Sequence, residues 1–173
     1  NPPTTMAIKN ALDLLESLGA AESNWNEVQD QDEPNSDVKT SLTALGYHLA
    51  TLPVHPRVGK MMIYGALFGV YDPCLTIAAA MTSRSPFISS VGNREAADEA
   101  KQSFASDDHI SVLLAFNQWR HLRQRDGRKA KAFLRENFLS YNSLNNIVQL
   151  RKQLEKYMFD IGFSAPASPS GLL

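Results

Sequence analysis

A mainly α fold with one short β-hairpin is predicted by three observations. Residues 56–70 are apolar almost throughout and open on Pro56. Residues 141–161 place apolar side chains three and four apart, the helical period. Residues 1–55 read helix, strand, polar loop, strand, helix, whereas from Pro56 onward only helices are read. With 173 residues, 43% of them hydrophobic and 20% charged, the chain has enough apolar material for one domain or two small ones packed together.

Asn1-Pro2-Pro3 is an extended lead-in. Thr4 or Thr5 caps a first helix with Ile8, Ala11, Leu12, Leu14, Leu15 and Leu18 on its apolar face, and Gly19 ends it. Residues 20–40 hold Glu22, Glu27, Asp30, Asp32, Glu33, Pro34 and Asp37, a solvated loop between short strands that Trp25 and Val28 anchor locally. Residues 41–45 form the return strand, and a helix begins at Gly46. This order outlines a winged-helix module; a helical hairpin with an insert is the alternative. Its candidate recognition helix, 47–52, carries His48 and no Arg or Lys, which disfavours base reading. Pro53 and Pro56 stop that helix, and Pro56 starts a buried central one.

Everything after Pro56 reads as helices. Asp72-Pro73 supplies a cap and first-turn proline for 74–81, and Thr82–Phe87 is a break. Asn93 caps 94–104, and Ser106-Asp107-Asp108 caps the next helix. Residues 120–131 are strongly basic, with a turn at Gly127 and a restart over 129–137. Ser140 or Asn142 caps the last long helix, Gly162 ends it, and Ser164–Leu173 has linker composition.

The missing chemistry narrows function. Gly59-Lys60-Met61 lacks the upstream glycine and following Ser or Thr of a phosphate loop. His48, His55, His109 and His121 are scattered singly, without metal-ligand spacing. Asp107-Asp108-His109 reads as a helix cap rather than a carboxylate–histidine relay. Cys74 is alone in an apolar run, a core residue rather than a nucleophile, and fits a reducing compartment. A formal net charge of −1 argues against an autonomous, nonspecific nucleic-acid binder. No catalytic and no metal residue is assigned. There is no signal peptide or apolar run long enough for a membrane span, and the absence of an initiating Met reads as an excised fragment.

Long blocks then carry a resemblance. LTALGYHLATLPVHPRVGKMMIYGALFGVYDPCLTIAAAMTSRSPF, followed by SDDHISVLLAFNQWR and FLRENFLSYNSLNNIVQLRKQL, resembles in order the helicase-associated region that follows the motor domains of DEAH-box RNA helicases. The second block carries one extra Asp, Leu134 stands where many relatives have Cys, and the acidic insert after Ala20 is longer than a minimal wing. The resemblance implies a winged helix over 1–55, a ratchet-like helical bundle over 56–163 and a linker over 164–173 toward an OB-fold. In the parent helicase it implies two RecA-like motor domains, ATP and Mg, a nuclear or cytoplasmic location, and a bundle that forms one wall of a single-stranded RNA channel. Polar and basic side chains on such a wall hold phosphate and sugar without reading sequence. The candidates are Arg84, Asn117 and Arg120, with Asp108 a possible ion-pair partner for Arg120 and Trp119 in the core. The fragment alone is expected to bind RNA weakly and to hydrolyse no ATP. A helical scaffold that docks a helicase activator and a stand-alone winged-helix DNA binder are the competing readings.

Overall fold

The computed structural model describes residues 2–23, 40–88, 92 and 94–164. The acidic stretch with Trp25 and Val28, the Asn93 cap and the 165–173 tail lie outside them. Among the described residues there are eight helices and one two-stranded antiparallel sheet. The chain forms two compact units, Asn1–Tyr64 and Gly65–Leu173.

In the first unit, α1 (Thr5–Ser17) begins where the Thr4 hydroxyl accepts from the Ala7 N–H at 3.3 Å. Gly19 reverses the chain at φ 70°, with the Ala20 N–H returning to the Leu15 carbonyl at 2.8 Å. β1 (Ala21–Ser23) pairs with β2 (Thr40–Leu42) so that Ala21 faces Leu42. The return strand is therefore shorter than expected and α2 (Ala44–Thr51) starts two residues early. Thr43 is the reason: its hydroxyl accepts from the Gly46 N–H at 3.0 Å and donates to the Gly19 carbonyl at 2.7 Å.

Pro56 opens α3 (Pro56–Leu67), as its fixed φ favours. The expectation of a buried central helix over 56–70 holds for part of the segment only. Val58, Met62 and Ile63 are buried, but the helix ends at Leu67, and Leu67, Phe68 and Val70 are exposed around a turn at Gly69 with φ 74°. Apolar content alone does not tell a face inside this chain from one left on its surface.

In the second unit, α4 (Tyr71–Met81) packs on α6 (Asp108–Arg125) and α8 (Tyr141–Asp160), and α7 (Gly127–Glu136) packs on α6. Buried Met158, Leu144, Ile147, Phe116, Trp119 and Leu75 fill the centre. α5 (Arg94–Gln102) buries only Ala97 and ends two residues short of Phe104, whose ring meets Phe87 and Phe133 at 6.0 and 6.1 Å.

Two expected starts shift and a third is as read. Val70, not Asp72, is the N-cap of α4, and it has no side-chain cap bond; Asp72 lies inside the first turn. Asp126 accepts from the Arg128 and Lys129 N–H groups, so α7 begins at Gly127 rather than after it. Asp107 caps α6, with Oδ1 at 2.9 and 3.0 Å from the N–H groups of His109 and Ile110. Those bonds, the Ile110 one foremost, hold the Asp107 carboxyl below its ordinary value. A lowered folded-state pKa means a contribution present above the ordinary carboxylate range and lost as pH falls through the lowered value. Asp107→Ala is expected to lower thermal stability most at neutral pH and by less in acid, once pH has fallen through the lowered value; melting curves at neutral pH and across the acid range check this.

The turn between α7 and α8 fixes the loop that follows α4. Phe138 takes φ 51°, a left-handed position unusual for a non-glycine residue, and the Leu139 N–H returns to the Leu134 carbonyl at 2.8 Å. The Phe138 carbonyl accepts from the Ile88 N–H at 2.7 Å, and the Ser140 N–H donates to the Pro86 carbonyl at 2.7 Å. Buried Pro86 thus anchors the segment two residues after Arg84.

Candidate nucleic-acid interface

α6 distributes its side chains by the helical period. Asn117, Arg120, His121 and Gln124 recur at three- and four-residue spacing and share one face, while Trp119 and Arg123 point to another. With Asp72 from α4, the first four line an open groove of about 320 Å³. Its lining is polar and holds both expected α6 candidates. All of these side chains sit on helices rather than on a loop, which keeps their spacing fixed.

Asp72 is the pivot of the groove. The Arg151 guanidinium on α8 donates to its carboxylate, to its carbonyl at 2.8 Å, and to the Thr76 hydroxyl. Thr76 is fully buried and in turn donates to the Asp72 carbonyl at 3.1 Å. Buried polar groups cost free energy unless bonded, and this cluster satisfies Thr76 completely. The Arg151 guanidinium also lies 5.7 Å from the Phe116 ring centroid, which adds a second hold on its head. Arg120 approaches the same Asp72 carboxylate at 4.0 Å with its side chain 49% exposed. At that distance the pair is loose, and Arg120 keeps most of its hydrogen-bonding capacity for solvent or a ligand. The expected Arg120–Asp108 pairing is not formed: Lys101 takes Asp108 at 2.6 Å.

Arg84 is exposed in the break after α4 and has no ion-pair partner among the described residues. The structure does not bring it into the groove. Asp72 stands at the opposite end of α4, nine residues from Met81, about 14 Å of helix axis at the usual rise. Trp119 is 1% exposed and is a core residue. The basic run over 120–131 is also divided: Arg120 faces the groove, whereas Arg123 covers the Trp119 ring at 5.2 Å.

Two groups near α4 have no chemical task in sight. Burial raises the Cys74 thiol, as suits a core residue. A Cβ on Gly65 would lie 2.6 Å from its sulfur, so the two are closely fitted. Tyr71 Oη is buried without a hydrogen-bond partner among the described residues; burial raises its pKa, Glu155 adds to the rise and Arg151 opposes it. No group of three or more potential metal ligands is assembled among the described residues, and no helix there is long and apolar enough to cross a membrane.

Asn117 and Arg120, the two α6 candidates from the sequence, both line this groove; Asp72 and Arg151, which shape it, were not among the candidates. Asp72-Pro73 carries a strong local capping signal that masks its tertiary role. Arg151 lies 79 residues away, and the signal available was an arginine at half-buried helical spacing between Ile147 and Leu154.

Residues 55–143 match the family described as "Helicase associated domain (HA2), ratchet-like". The chain is 40% identical over 172 residues to the DExH-box ATP-dependent RNA helicase DExH1 of Arabidopsis thaliana, a match covering 98% of this chain and 16% of that protein. It is 39% identical over 168 residues to the ATP-dependent RNA helicase DHX29 of Homo sapiens, covering 95% and 11%. It is 39% identical over 136 residues to the ATP-dependent DNA/RNA helicase DHX36 of Bos taurus, covering 77% and 14%. The chain thus spans less than a fifth of each relative's length. The match over residues 55–143, with which the helices among the described residues agree, makes this chain a member of the ratchet-like helicase-associated (HA2) family, as its likeness to DExH-box and related RNA helicases supports.

Proposed function

We propose that this chain is an accessory segment of an ATP-dependent RNA helicase, where it lines a single-stranded RNA channel and couples motor-domain movement to strand translocation and unwinding. The observation that supports this reading best is the helix-borne polar groove of Asp72, Asn117, Arg120, His121 and Gln124. Arg120 supplies a cation for phosphate, and Asn117 and Gln124 supply amide donors and acceptors for phosphate, sugar or base edges without a fixed sequence code. Asp72, locked by Arg151, orients Arg120 loosely and offsets the repulsion between the two arginines. Arg84 provides a second, separate phosphate contact at the far end of α4.

In this reading two RecA-like motor domains and an OB-fold of the same protein are the neighbouring partners, a protein activator is a further one, and the setting is the nucleus or cytoplasm. ATP and magnesium are held by the motor domains. Gly59-Lys60-Met61 lies within α3, and the Lys60 ammonium donates to the Leu18 carbonyl at 2.7 Å, so this tripeptide is not shaped as a phosphate loop. The isolated chain is expected to hydrolyse no ATP and to bind RNA weakly, with affinity falling as salt rises.

In the full-length protein, Arg120→Ala and Arg84→Ala are each expected to weaken single-stranded RNA binding several-fold and to reduce the slope of log affinity against log salt by about one. RNA-stimulated ATP hydrolysis should fall with them. An unchanged salt slope in Arg120→Ala would remove Arg120 from the phosphate contacts, because loss of the Asp72 pair alone alters stability and not counterion release.

A further inference from the structure

We propose that α6, α7 and the start of α8 form a second binding site, for an acidic peptide segment that carries a bulky apolar anchor. The open pocket there has a volume of about 690 Å³, within the range of specific ligand sites. Its floor is apolar: Trp119, Ala130 and Leu134, each buried by 92% or more at the residue level. Its rim is cationic: Arg123, Lys131 and Arg135. No carboxylate lines it, and none of the three cations makes an ion pair among the described residues. Three unneutralised cations around one apolar pocket stand out in a chain whose formal net charge is −1.

The rim is preorganised. Arg123 donates to the Asn145 side-chain oxygen at 2.7 Å and lies over both the Trp119 and Tyr141 rings, at 5.2 and 5.9 Å. A guanidinium held in this way presents a fixed fork to a carboxylate and loses little freedom when it binds one. The same geometry favours peptide over nucleic acid. Trp119 is 1% exposed and offers no face for a base to stack on, the Arg123 guanidinium lies over the Tyr141 ring, and Ala130 and Leu134 supply the aliphatic part of the floor. An aliphatic or aromatic side chain fits such a floor, with flanking Asp or Glu reaching the rim. The site also differs from the polar groove: Arg123 and Trp119 lie on a different face of α6 from Asn117, Arg120 and Gln124.

The test uses the full-length protein and a fluorescein-labelled peptide with a Leu-Phe anchor flanked by Asp and Glu. Anisotropy should show saturable binding. Exchange of the acidic residues for Asn and Gln, or the surface double variant K131E/R135E, should each weaken it about tenfold or more. Far-UV circular dichroism should show the double variant folded, as expected for two exposed side chains. Absence of binding up to ~1 mM peptide, the affinity floor for a specific site, overturns the proposal. So does binding that K131E/R135E leaves unchanged, or displacement of the peptide by a single-stranded oligouridine whose own binding is weakened by the same variant, which would assign the pocket to RNA. Arg120→Ala should leave peptide binding unaltered, so this site and the RNA groove fail or stand separately.

Discussion

Trp119→Ala is expected to destabilise the Gly65–Leu173 unit by about 3–5 kcal/mol, the cost of removing a large buried aromatic and leaving a cavity. The indole is 1% exposed, tilted against Phe116 at 6.0 Å and edge-on to Tyr141 at 6.2 Å. Its loss removes the partner of the Arg123 guanidinium as well, so the α6–α7–α8 corner loses packing and a cation–π contact together. Trp119→Phe should cost markedly less. Denaturant unfolding of the unit, followed by the α6 and α8 amides in hydrogen exchange, measures both variants. The experiment also separates a core role from a stacking role. A stacking platform for bases would show near-normal stability with lost RNA affinity, whereas the structure predicts lost stability first.

Gly46→Ala is the second large effect, in the Asn1–Tyr64 unit. A Cβ built on Gly46 would lie 1.9 Å from the Ala20 carbonyl oxygen and 3.2 Å from a Leu42 methyl. That oxygen already accepts from the Thr43 N–H at 3.1 Å, and Ala20 and Ala21 are 1% and 4% exposed. Backbone oxygen cannot rotate away as a side chain can, so β1 must separate from the start of α2 or the helix must shift. The expected cost is about 2–3 kcal/mol, after the modest gain in helix propensity from alanine. Fast exchange of the Thr43 amide in Gly46→Ala, with the Gly65–Leu173 amides unaffected, is the predicted signature.

Much of the fold was legible because its signals are local. Thr4, Asp107 and Ser140 cap helices through bonds to residues two or three further on, and such bonds leave a mark in sequence. Pro56 and Gly162 mark a start and an end for the same reason. The misreadings arose where a local cue met a tertiary partner. Asp72 looks like a cap, yet Arg151 from the last helix claims its carboxylate. Gly127 looks like a turn, yet Asp126 caps the helix that starts on it. Leu67, Phe68 and Val70 look like core, yet they are exposed, because apolarity records that a surface tends to be covered and not by what. For the candidate site, Asn117 and Arg120 were found as polar residues within an apolar helix, and Trp119 was rightly placed in the core. That Asn117 and Arg120 share a groove with Asp72 while Arg84 lies at the other end of α4 depends on how helices distant in sequence pack.

We propose that the α4–α6 groove contacts RNA. The most direct test is photo-crosslinking of the full-length protein to a single-stranded RNA containing 4-thiouridine, with crosslinked peptides mapped by mass spectrometry. Crosslinks are expected within the α6 segment from Asn117 to Gln124, diminished in Arg120→Ala. Efficient crosslinking elsewhere in the protein, with that segment unmarked, would contradict it.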